Sequence, residues 1–133
     1  MVLDAAAGLR PDVQVFGTDY PTPDGTCLRD YIHVSDLARA HVVGLQALMS
    51  GQVRSQAINL GTGCGYSVRE VIDAVRRVTG RDFKVRETGR RIGDPPELVA
   101  AVNRAKEVLG WSAGESDLNW IVKTAWSWAT SKG

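Results

Sequence analysis

The 133-residue chain is poor in the residues that usually announce a reaction. Its two cysteines, Cys27 and Cys64, lie far apart and form no CxxC pair, so reduced thiols in a cytoplasmic protein are expected and neither is a candidate for chemistry. The only two histidines, His33 and His41, are separated by a change from strand to helix, and no spacing supplies further metal ligands. Packing or hydrogen-bonding roles are expected for both. None of Tyr20, Tyr31 and Tyr66 has a lysine four residues on, and no serine sits in a GxSxG turn, so no nucleophile and base pair is visible.

Long apolar runs are also missing. The most apolar stretch, residues 38–49, is interrupted by Arg39, His41 and Gln46 and is too short to span a bilayer. The opening MVLDAAAGLR lacks the basic flank and extended apolar core of a signal peptide. Net charge is only +1, and the sixteen basic residues are spread along the chain, which argues against a nucleic-acid footprint or a polybasic membrane patch. Any anion bound should be small. What remains, at 44% hydrophobic and 23% charged residues, is ordinary globular composition in a chain one domain long, able to bury a modest core.

The most informative segment is FGTDYPTPDGTCLRDYIHV, residues 16–34. Pro21, Pro23, Asp24 and Gly25 force a reversal between two apolar strands, and Arg29 emerges at the start of the second. A forked, permanently charged guanidinium placed in this way suits phosphate oxygens, although a plain surface arginine is the bland alternative. A second basic site follows at Arg90, Arg91, Ile92, Gly93 and Asp94, with Pro95 and Pro96 holding Asp94 extended. An arginine fork and a hydroxyl-accepting carboxylate would suit a nucleotide-sugar; the alternative is a surface turn in which Arg91 and Asp94 merely pair. The glycines of NLGTGCGYSVRE follow a GxGxG spacing rather than the GxGxxG of dinucleotide sites, so a tight turn before a well-capped helix is the better reading.

The expected elements are a helix end over residues 2–8, strands over 13–16 and 28–34, and a helix capped by Ser35 or Asp36 and running to about Met49. That helix is apolar around most of its circumference. A brief strand over 57–60 should enter the glycine run, and Ser67 with Glu70 forms a capping box for an amphipathic helix ended by Gly80. In that helix Arg69/Asp73 and Asp73/Arg77 are i,i+4 pairs. A strand over 83–85, a helix over 97–109 and a last helix capped by Ser116 or Asp117 complete an α/β (α+β) arrangement. Core packing is expected for the tryptophans at 111, 120, 126 and 128.

Four stretches, VFGTDYPTPDGTCLRDYIHVSDLARAHV, INLGTGCGYSVREVI, GRRIGDP and RAKEVLGW, occur in an order and spacing that closely resemble the C-terminal part of the UDP-glucose 4-epimerase family. These enzymes are extended short-chain dehydrogenase/reductases, and the resemblance covers essentially residues 1–133. It implies the fold of a C-terminal UDP-sugar-binding portion that lacks most of the Rossmann domain. It further implies that Gln14, Val15 and Phe16 lie along the uracil, that Arg29 and Arg91 hold the diphosphate, and that Asp94, in the turn with Ile92 and Gly93, meets the uridine ribose. Leu98 falls where the family shapes the sugar pocket, and Ala101 replaces a usual aspartate. The family interconverts UDP-glucose and UDP-galactose, in galactose metabolism, on bound NAD, and is usually a homodimer. Its NAD-binding GxxGxxG loop and its YxxxK pair have no counterpart in this sequence, so no catalytic residue and no cofactor-binding residue is assigned. The resemblance therefore implies that residues 31–60 include a helix and strand meant to pack on an absent NAD-binding domain, and that the chain alone is inactive. A non-catalytic UDP-sugar-binding module, an inactive remnant, or a portion of an epimerase for other UDP-sugars are the alternatives.

Overall fold

Ser67 and Glu70 bond reciprocally, each side chain to the other's backbone N–H, and start the best-formed helix of the chain, which Gly80 ends in the left-handed conformation at φ 64°. Residues 1–131 are described in this computed structural model. In chain order the elements are α1 (Val2–Ala6), β1 (Val13–Phe16), β2 (Leu28–Asp30), α2 (Val34–Met49), β3 (Gly65–Ser67), α3 (Val68–Thr79), β4 (Val85–Thr88), β5 (Glu97–Leu98), α4 (Asn103–Leu109) and α5 (Leu118–Thr130). This is an α/β arrangement of helices around two small sheets.

In one sheet β1 runs parallel to β4, with Val13 opposite Val85 and Phe16 opposite Thr88. In the other, β2 is central, antiparallel to β3 and parallel to β5. The amphipathic α3 unites the core. Its Val71, Ala74 and Val75 pack against Leu118 and Val122 of α5, while Ile72 meets Ala5, Val13 and Val15. Ala74 is fully buried, which lets the two helices approach closely. A separate cluster of Ala40, Ala105 and Trp111 joins α2 to α4.

Several sequence expectations need correction. The helix expected over 97–109 begins only at Asn103, because Pro95 and Pro96 hold the chain extended and Glu97 and Leu98 pair with Leu28 and Arg29. Residues 57–60 form no strand: Ile58 and Leu60 pack on the Ala40 cluster with no strand beside them. The second strand stops at Asp30, and the strand expected over 83–85 lies instead at Val85–Thr88, alongside β1. Helix α2 is capped by neither Ser35 nor Asp36. His33 is the cap, its ring Nδ1 accepting from the Ser35 N–H at 3.1 Å.

Charges and aromatics differ too. Arg69 pairs with Glu87 at 2.6 Å and Arg77 donates to Asn119 at 2.7 Å, so the i,i+4 pairs with Asp73 give way to partners on neighbouring elements. Trp111 is buried and Trp126 packs on the core, but Trp120 and Trp128 are 43% and 64% exposed. Both histidines do make hydrogen bonds, His33 to Thr124 and His41 to the Leu37 carbonyl. On α2, Val42, Leu45, Leu48 and Met49 remain exposed despite the apolar circumference.

Candidate functional site

Among the described residues strand β1 has one partner, β4, which leaves its other edge open. The N–H groups of Val13 and Gly17 donate toward β4, to the carbonyls of Lys84 and Thr88, both at 2.9 Å. By the alternation of a strand, the backbone groups of Gln14 and Phe16 face the open side. There lies a cavity of about 340 Å³, and Gln14, Phe16, Cys27, Arg29, Arg91 and Asp94 are among the residues that line it. Arg10 and Asp12 stand at the same cavity, with Asp12 held by Arg86 at 3.3 Å.

Arg29 is fixed from several sides. Its Nη1 donates to the Leu28 carbonyl at 2.7 Å and the Pro95 carbonyl at 3.1 Å, and its Nη2 to Asp94 Oδ1 at 3.1 Å. These bonds join β2 to the 90–94 turn, which closes through the Asp94 N–H and the Arg91 carbonyl at 3.3 Å, with Gly93 at φ 84°. Arg91 is held differently. Its guanidinium carbon lies 3.6 Å from the centroid of the Phe16 ring, and it makes no ion pair among the described residues. The Asp94 carboxylate therefore pairs with Arg29, and the alternative in which the Arg91 and Asp94 side chains pair with each other does not form.

Four of the nine sequence-derived candidates lie outside this cavity. Val15 is buried in the core, 1% exposed, so only its neighbours on β1 can face a ligand. Ile92 projects fully into solvent, Gly93 serves the turn, and Leu98 is exposed on β5 opposite Arg29. Conversely, Cys27, Arg10 and Asp12 line the cavity without any signal in the sequence that singles them out.

The glycine run has a clear structural task. Asp30 accepts from the Thr62 hydroxyl at 2.6 Å, from the N–H groups of Thr62 and Gly63 at 2.9 and 3.0 Å, and from that of Ala100 at 3.3 Å. Burial pushes the Asp30 carboxyl up, but these hydrogen bonds outweigh it and hold the group below the usual carboxylate range. A Cβ at Gly61 would come within 2.5 Å of both the Ala100 side chain and Asp30 Oδ2, and one at Gly65 within 2.8 Å of Val99. The loop wraps a carboxylate of its own chain, and its amides are spent there. It does not fit the pyrophosphate of a dinucleotide.

Known proteins are similar to this chain in sequence and in fold. Residues 1–61 match the model of the NAD dependent epimerase/dehydratase family. The UDP-glucose 4-epimerase of Corynebacterium glutamicum is 45% identical over 133 residues, which is 100% of this chain and 40% of that protein. The crystal structure of the Stenotrophomonas maltophila UDP-glucose-4-epimerase, with bound NAD and formylated UDP-arabinopyranose, superposes with a TM-score of 0.91 at 47% identity, covering 98% of this chain and 39% of that one. That of Bifidobacterium longum, in complex with NAD+ and UDP, gives 0.86 at 38% identity, covering 98% and 38%. Over residues 1–61 the chain is similar to the NAD dependent epimerase/dehydratase family. Over nearly its whole length it is similar to the UDP-glucose 4-epimerases, and it spans about two-fifths of their length.

Proposed function

We propose that the cavity beside β1 takes the UDP moiety of a UDP-sugar, and that the chain supplies the substrate-holding side of an enzyme that interconverts UDP-glucose and UDP-galactose. The observation that carries this reading is the convergence of Arg29, Arg91 and Asp94 on one cavity from segments more than sixty residues apart. Two guanidiniums offer forked donors to a diphosphate. Asp94 engages Arg29 through one oxygen, and the other can accept from ribose hydroxyls. The open backbone groups of Gln14 and Phe16 offer a donor and acceptor edge to a planar base.

NAD is the cofactor named for the family and bound in the Stenotrophomonas relative. The residues of this chain do not fit it, since the glycine loop already holds Asp30, and no hydride step is assigned to them. Nor does any tyrosine stand with a lysine four residues on. Turnover by the chain alone is therefore not expected. We place an NAD-binding domain against the apolar side of α2, where Val42, Leu45 and Leu48 are exposed. Calorimetric titration of the chain with UDP tests the reading: saturable binding that Arg91→Ala weakens supports it, and a folded chain that binds no UDP rejects it.

A further inference from the structure

We propose that Arg90 is a positioning residue for this anion site: it clamps the 90–94 turn to the loop ahead of β2 and so keeps Arg91 over Phe16 at the cavity. The inference deepens the UDP reading and rests on it for its functional meaning.

Neighbouring arginines are laid on two aromatic rings, Phe16 at the end of β1 and Tyr20 in the loop that follows. The Arg91 guanidinium carbon lies 3.6 Å from the Phe16 centroid and that of Arg90 lies 4.2 Å from the Tyr20 centroid. Arg90 also donates from Nε to Asp19 Oδ1 at 2.7 Å and from Nη2 to the Asp19 carbonyl. None of Arg90, Asp19 and Tyr20 lines the cavity, so the three act on it through the backbone they hold.

The platform under Arg90 is rigid. Tyr20 is buried, its N–H donates to the Gly25 carbonyl at 2.9 Å and its carbonyl accepts from Thr22 at 2.8 Å. Gly17 sits at φ 85°, and a Cβ there would meet Tyr20 Cε2 at 2.5 Å and Arg90 Cγ at 2.7 Å, so the stack occupies the space a side chain would need. The Arg91 side chain, by contrast, lies on the half-buried Phe16 ring and makes no ion pair among the described residues. Its place depends on where the backbone one residue earlier is pinned. A lysine at position 90 would keep the charge and lose the fork that grips Asp19 twice.

The test reads Arg91 itself. In the free protein, a ring current from Phe16 is expected to displace the Arg91 side-chain proton resonances upfield. In Arg90→Ala these resonances are expected to return toward those of a free arginine, with a smaller change in Arg90→Lys and none in Tyr20→Phe, which keeps the ring. Arg90 is 44% exposed and Asp19 74%, so Asp19→Asn provides a second variant that leaves the core untouched, and unchanged amide dispersion elsewhere checks the fold. UDP affinity is expected to fall about fivefold in Arg90→Ala, the scale of one exposed ion pair and one cation–π contact. Arg91 resonances unmoved in both Arg90→Ala and Asp19→Asn overturn the inference. Absence of UDP binding by the unaltered chain would overturn the functional reading instead, while the resonance comparison still decides the clamp.

Discussion

Arg29 and Asp94, sixty-five residues apart, meet at 3.1 Å and tie β2 to the turn that carries Arg91. The same guanidinium reaches the Leu28 and Pro95 carbonyls, so it is at once a structural tie and a face of the cavity. Its neighbour in the site, Arg91, lays its guanidinium on Phe16 and makes no ion pair among the described residues.

The two arginines should therefore separate under mutation. Arg29→Ala, which leaves two carbonyls and a carboxylate without their donor, is expected to lower stability by about 1–2 kcal/mol as well as weaken UDP binding. Arg91→Ala should weaken UDP binding with a stability change of roughly 0.5 kcal/mol or less. Urea unfolding of both variants checks this. Equal losses of stability would contradict the difference in how the two side chains are held.

Asp30 is expected to matter for folding and not for the ligand. Asp30→Ala strands the N–H groups of Thr62, Gly63 and Ala100, and a loss of about 3 kcal/mol is expected from unsatisfied donors at a partly buried site. Denaturant unfolding measures it. A loss below about 1 kcal/mol would mean that water replaces the carboxylate freely.

Gly25→Ala should be among the most damaging single-methyl additions. The residue sits at φ 81°, where a side chain is strained, and a Cβ would lie 2.1 Å from the Thr18 carbonyl oxygen. A loss of about 2 kcal/mol or more is expected, against little effect for Gly44→Ala, where nothing lies within 4 Å of the added carbon. Thermal melts of the pair compare them directly.

Acid should destabilise the protein through three carboxylates. Asp24, Asp30 and Asp36 are each pushed up by burial and then held below the usual range by stronger hydrogen bonding, from Ser67 and Thr26, from the 62–63 loop, and from Ser116 with the Gly114 and Glu115 amides. A folded-state pKa below the unfolded one adds stability that is present above the unfolded value, near pH 4, and is lost as pH falls through the folded one. The urea midpoint should hold from about pH 7 to 5 and decline below about pH 4. A midpoint that rises on acidification would contradict this sign.

Much of this was legible in the sequence where a signal is local. The Ser67–Glu70 box, the αL glycine at 80 and the β1 strand all rest on short-range chemistry, and each lies where the pattern puts it. Arg29 and Arg91 stood out for the loop and prolines beside them. What escaped depends on distant partners. The 97–98 strand exists because β2 offers an edge, His33 caps α2 because Asp36 is drawn away to the 114–116 loop, and Asp30 is important because a glycine loop thirty residues on closes around it. Pairing of that kind leaves no periodicity to read.

The most direct test of the central claim is calorimetric titration of the purified chain with UDP, alongside Arg91→Ala. Saturable binding to the unaltered chain is expected, weakened about tenfold or more by the loss of a charge-assisted fork on phosphate. No heat from a folded chain, or equal affinity in the variant, would contradict the account.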